Sequence, residues 1–119
     1  MSIPVECDNA IVAHAAWKAK FRAFLSGTLT LDPVVVEKHN GCDFGKWLEG
    51  AGRSHLQAAE YARLHKLHAE FHRVAAGVVR LKLGGDVKGA QAQVEASGAF
   101  SKASAALTRE VVVVRDTKR

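Results

Sequence analysis

From Leu64 to Leu81 apolar side chains return every three or four positions, at Leu64, Leu67, Phe71, Val74, Val78 and Leu81. That repeat marks one face of an α-helix. The stripe Ala10, His14, Trp17, Phe21 and Phe24 has the same period. So does a later one through Ala90, Val94, Ser97, Phe100, Ser104, Leu107, Val111 and Val114. Only two prolines are available to interrupt them. The simplest way to bury all these faces together is an all-α fold, an antiparallel four-helix bundle.

Local signals divide the chain. Asp8 or Asn9 can cap a first helix that runs to about Leu25 and ends at Ser26-Gly27-Thr28. Residues 28–41 form a connector with a helical turn or two. Asp32-Pro33 suits a helix start, yet Val34 to Val36 are equally comfortable extended. An additional short helix from about Asp43 to Glu49 follows, closed by Gly50 and Gly52, with Cys42 at its N-terminal edge. Ser54 can cap a long helix to about Leu83, Gly84-Gly85-Asp86 makes a turn, and a last helix runs from Val87 to Val114 or beyond. The valines at 111–114 have strand propensity but continue the helical stripe, which favours the helix.

A chain of 119 residues suits one domain, 1–119, with flexible ends expected at 1–8 and 116–119. No apolar run approaches the ~18 residues of a membrane span. The start has neither the basic nor the apolar region of a secretory leader, so a cytoplasmic location is expected. Two cysteines, Cys7 and Cys42, are too few for a disulfide framework and should remain thiols. The net charge of +5 comes without a dense basic block carrying interleaved aromatics. Lys18, Lys20 and Arg22 fall on a polar helix side, and Arg115, Lys118 and Arg119 in a fraying tail. Neither nucleic acid nor a membrane is expected as a partner.

Half of the six histidines lie in "HKLHAEFH", residues 65–72. Measured from the centre of the Leu64, Leu67 and Phe71 stripe, His68 lies roughly 70° away, His72 roughly 105° and His65 roughly 125°. His68 and His72 therefore flank the core, while His65 looks outward. His14 occupies the middle of an apolar stripe, where its two ring nitrogens need a partner or a metal. Cys42 at a helix start is placed where the dipole favours a thiolate. Three imidazoles and one thiolate make a full tetrahedral set for Zn(II) with no open position, although no local Cys-x-x-Cys knuckle pins it.

Three motifs carry a resemblance. "HAAWKAKF" is similar to the His-x-x-Trp first helix of the chemoreceptor zinc-binding (CZB) domain family. "CDFGKWL" resembles its Cys-x-(Phe/Leu)-Gly-Lys-Trp signature, and "LHAEFH" its His-x-x-x-His pair after an apolar residue. The resemblance implies His14, Cys42, His68 and His72 as Zn(II) ligands, with Trp17, Phe44, Gly45 and Trp47 packed around them. It also implies a homodimeric, zinc- or oxidant-responsive regulatory domain of bacterial signalling. Cys42 would be the redox switch, and a chemoreceptor or diguanylate cyclase the signalling partner. Trp17 and Trp47 are expected as core anchors, Gly45 as a close-packing point under another helix, and Lys46 as a solvated charge. His55 and His65 should lie on the surface, and Cys7 in a mobile, incidental segment.

Enzymatic and di-iron alternatives fit less well. A zinc hydrolase needs a glutamate beside the metal-bound water. Glu70 stands two residues from each histidine of the pair, roughly 200° round the helix and facing away. The chain is therefore not expected to be an enzyme. A haemerythrin-like di-iron bundle needs bridging carboxylates that Glu60 and Glu70 do not supply convincingly. A purely structural zinc site is the remaining alternative.

Overall fold

The computed structural model describes residues 2–119, and its described residues form helices and turns without a strand. Helices α1 (Ile3–Ala15) and α2 (Trp17–Leu25) form one rod, because Ala16 keeps helical angles and its amide donates to the Val12 carbonyl at 3.1 Å. The rod begins at Ile3 instead of near Asp8 or Asn9. Ser2 caps it, its Oγ accepting from the Val5 amide at 3.3 Å, with proline in the first turn. The apolar stripe thus extends back through Cys7 to Ile3 at spacings of three and four. Cys7 is fully buried core, contrary to the mobile segment expected for it.

The connector holds α3 (Pro33–Glu37), started as Asp32-Pro33 suggests: the Asp32 carboxylate accepts from the Val34 amide at 2.9 Å. A 3₁₀ turn (His39–Gly41) then leads through Cys42 into α4 (Asp43–Trp47). The glycines after α4 do not end the segment. It widens into a π-helical turn, Leu48–Gly52, kinked at Gly50, and continues as α5 (Arg53–His55). Helix α6 (Ala58–Leu83) begins after Gln57, whose amide donates to Glu60 Oε1 at 3.0 Å, so Ser54 is not its cap.

The last stripe is carried by two helices, α7 (Val87–Val94) and α8 (Ala99–Thr117). The interruption has a steric cause. A Cβ at position 98 would stand 2.2 Å from the Ala92 carbonyl oxygen, an approach that only Gly98 permits. The Val94 carbonyl freed at the break accepts from Ser101 Oγ at 2.8 Å. Ser97, expected inward, is exposed in this turn, whereas Phe100, Leu107, Val111 and Val114 are buried as the stripe requires.

The architecture is a helical bundle measuring 43 × 25 × 21 Å. Helix α6 packs against α8, α7 and α3, while α1 packs against α8 and α4. Three long rods, α1–α2, α6 and α7–α8, share the core, and the short helices α3 and α4 stand where a fourth long rod would. Phe21 meets Phe100 edge to face at 4.8 Å, and Phe100 meets Phe71 at 5.3 Å, tying the three rods together. Burying each such ring contributes ~1.5–3 kcal/mol. Arg115 lies within α8 and not in a fraying tail. It is half-buried and donates to Asp8 at 3.0 Å, joining the far ends of the chain.

Candidate metal centre

His14, Cys42, His68 and His72 converge, each offering a ligand atom within 4.8 Å of the others. His14 comes from α1, Cys42 from the N-cap of α4, and the remaining pair from one turn of α6. The three histidines are 4%, 0% and 2% exposed, so His68 and His72 are in the core and not merely beside it. His55 is exposed and His65 half-exposed, as their helical angles suggest.

Backbone carbonyls set the tautomers. His14 Nδ1 donates to the Ala10 carbonyl at 2.7 Å, and His72 Nδ1 donates to the Val36 carbonyl at 2.9 Å. In both rings Nε2 is left with a free lone pair, the usual way of orienting a ligating imidazole. Ala10 lies one turn before His14, so its role is local. Val36 lies 36 residues from His72 and was not legible in the sequence; supplying this carbonyl is what α3 does for the site.

His68 presents the unsatisfied part. Its Nε2 lies 3.2 Å from Cys42 Sγ and 3.1 Å from His72 Nε2, while its Nδ1 is buried without a partner. The His72 lone pair faces His68 Nε2, and a single proton can bridge only one of these contacts. Bonds of ~2.0–2.1 Å to nitrogen and ~2.3 Å to sulfur place the donors of a tetrahedral ion roughly 3.3–3.6 Å apart. The observed contacts are within a few tenths of an ångström of that spacing, so the donor set fits Zn(II).

Burial also sets protonation. It pushes His68 from 6.5 to about 2, helped by the neighbouring His72 and His14, and pushes His72 to about 4 against the opposing Val36 hydrogen bond. His14 is lowered by the same cause. Neutral imidazoles are ready ligands. For Cys42 the expected helix-start effect is present but outweighed. Burial raises the thiol's pKa, while the Gly45 and Phe44 amides pull it down. Helix α4 has only five residues, too short for a strong dipole. Its direct contribution is the Gly45 amide, which donates to Sγ at 3.3 Å.

The signature residues take definite places. Phe44 is buried, with its ring 5.1 Å from His68 and 5.8 Å from His14. Gly45 packs not beneath a helix but against the 3₁₀ turn, where a Cβ would stand 1.7 Å from the His39 carbonyl oxygen. Trp17 and Trp47 are half-buried; instead of anchoring the core they wall a cleft of about 670 Å³ that reaches His14 and Cys42. Lys46 is exposed.

Residues 14–79 match the chemoreceptor zinc-binding domain family. The chain belongs to this family. The match opens on His14 and contains the other three converging residues, and zinc is the metal that the family binds. Helices α7 and α8 lie beyond the matched segment and complete the bundle of this CZB domain. No curated protein and no solved structure matches the chain. No helix is long and apolar enough to cross a membrane among the described residues.

Proposed function

We propose that this CZB domain is a cytoplasmic regulatory module of bacterial signalling in which His14, Cys42, His68 and His72 hold one Zn(II) and Cys42 is the responsive ligand. One observation carries the proposal: the sulfur and two imidazole nitrogens approach to 3.1–3.2 Å around a buried, otherwise unsatisfied histidine. Bound there, Zn(II) supplies positive charge that draws the ligand atoms together and holds Cys42 as thiolate.

The chain divides the labour. The two carbonyls hold His14 and His72 in the ligating tautomer, and long packed helices fix all three imidazoles. Cys42 belongs to a short segment with a 3₁₀ turn before it and a π-turn after it, so it can move without dismantling the bundle. The cleft between Trp17 and Trp47 gives a small oxidant a route to it. Attack of Sγ on a peroxide O–O bond forms an S–O bond, breaks the O–O bond and, with one proton, releases water, leaving a sulfenic acid. The sulfenic acid is a poorer ligand, and α4 is released toward a signalling partner such as a chemoreceptor or diguanylate cyclase.

Other readings lack support from the geometry. The four-residue cluster contains no carboxylate. Glu70 is paired with Arg73 on the exposed side of α6, and Glu60 binds the Gln57 amide and Lys118, so neither serves as a hydrolytic base or an iron bridge. We accordingly assign the domain no catalytic activity.

The test is the zinc retained after gel filtration, with helicity followed by circular dichroism. Wild type should keep one ion, lose it on mild peroxide treatment and remain mostly helical. His68→Ala should retain ten- to a hundredfold less tightly, and Cys42→Ser should bind weakly and ignore peroxide. Cys7→Ala is the control that should leave the peroxide response unchanged. Zinc that stays bound through oxidation would make the site purely structural.

A further inference from the structure

A second convergence of metal-binding side chains lies beside the buried centre. His39, Glu49 and His65 offer ligand atoms within 4.8 Å of one another. They come from three separate pieces: the 3₁₀ turn, the π-turn and α6. Glu49 Oε1 stands 4.0 Å from His39 Nδ1 and 3.9 Å from His65 Nε2, and the two rings are nearly perpendicular with centroids 5.2 Å apart.

Both distances exceed a hydrogen bond. The three donors surround a gap instead of closing on one another. Two imidazoles and one carboxylate are the protein ligands of many open zinc sites, and imidazole also suits copper and nickel. Metal bonds of ~2.0–2.2 Å place tetrahedral donors roughly 3.2–3.6 Å apart. A shift of about half an ångström by the exposed Glu49 carboxylate would therefore complete the set. The side chains are 29%, 40% and 39% exposed for His39, Glu49 and His65, which leaves the remaining coordination positions to water.

We propose that His39, Glu49 and His65 form a second metal site, open to solvent, that takes a divalent transition ion such as Zn(II) more weakly than the buried four-ligand centre. The two sites are neighbours, with the His39 ring 6.0 Å from that of His68. The His39 carbonyl also lies 3.5 Å from Cys42 Sγ, so altering His39 would disturb both sites. Glu49 and His65 are the cleaner handles.

Equilibrium dialysis of the metal-free full chain against increasing free Zn(II) counts the ions, and Co(II) substitution adds a thiolate charge-transfer band that reports only on Cys42. Wild type should bind a second, weaker ion. Glu49→Gln/His65→Ala should lose that ion, with at least a tenfold drop in affinity, while keeping the tight one and its charge-transfer band. Cys42→Ala/His72→Ala should lose the band but keep an ion that Glu49→Gln then removes. A wild type that takes up a single ion accompanied by the band would overturn the proposal, as would a second ion unaffected by Glu49→Gln/His65→Ala. Failure of the buried centre alone would show differently, as one weak ion without the band.

Discussion

At Gly45 the space for one methyl group decides whether the metal centre can assemble. The residue has its amide on Cys42 Sγ and its α-carbon against the His39 carbonyl, so a side chain there pushes apart the two turns that frame the cysteine. The obstacle is backbone, which cannot rotate aside as a flexible side chain can. Gly45→Ala should cost ~1–3 kcal/mol or more and distort the sulfur's position. Thermal denaturation combined with the Co(II) charge-transfer band would check it, and an unchanged melt with an unchanged band would contradict it. Cys7 shows the opposite situation for a thiol. Burial, reinforced by Asp8, pushes it up to about 11, so it stays protonated and shielded in the core at neutral pH. This difference makes Cys42 the responsive sulfur.

Among the elements, α6 carries both members of the His68 and His72 pair into the core, and this has a pH signature even without metal. Unfolded, each ring titrates near 6.5; folded, burial pushes the two down to about 2 and about 4. Below the unfolded value the unfolded chain takes up protons that the folded chain refuses, so their contribution to stability is full above pH 6.5 and is lost as pH falls. Each histidine can remove up to ~1.4 kcal/mol per pH unit within its window. The metal-free domain should melt at progressively lower temperature from pH 7 to pH 5, and His72→Phe should flatten that dependence. A melting temperature independent of pH over this range would show that the rings are not held neutral by burial. In contrast to α6, α4 is a short element between irregular turns, which suits it to respond when a ligand is lost.

At the scale of the whole molecule, the bundle leaves part of its apolar surface uncovered. Val12 is 71% exposed and Val5, seven residues earlier on the same helix, 45%, while Val113 on α8 is 48% exposed. Helices α1 and α8 pack together, so both partners of that pair retain outward valines. Self-association through α1 and α8 is our proposal for covering them. Light scattering at micromolar concentration should give a dimer mass, with Val12→Glu shifting it toward monomer. A monomeric wild type would refute the proposal. The surface otherwise carries ion pairs such as Arg80 with Glu37 and Arg63 with Glu110, whose exposure makes each worth ~1 kcal/mol or less.

Periodicity by itself determined the all-α class, the helical state of the valines at 111–114, and the helical angles that distinguish His68 and His72 from His65. Those properties depend on neighbours three and four residues away, which any helix face records. Tertiary structure decided that Cys7 is core, that Gly98 divides the last helix, and that the chain after α4 widens into a π-turn. It also brought the Val36 carbonyl to His72 and Glu49 to the space between His39 and His65. Each of these depends on a backbone atom or side chain far away in sequence, and no local repeat records where packing will place such a partner.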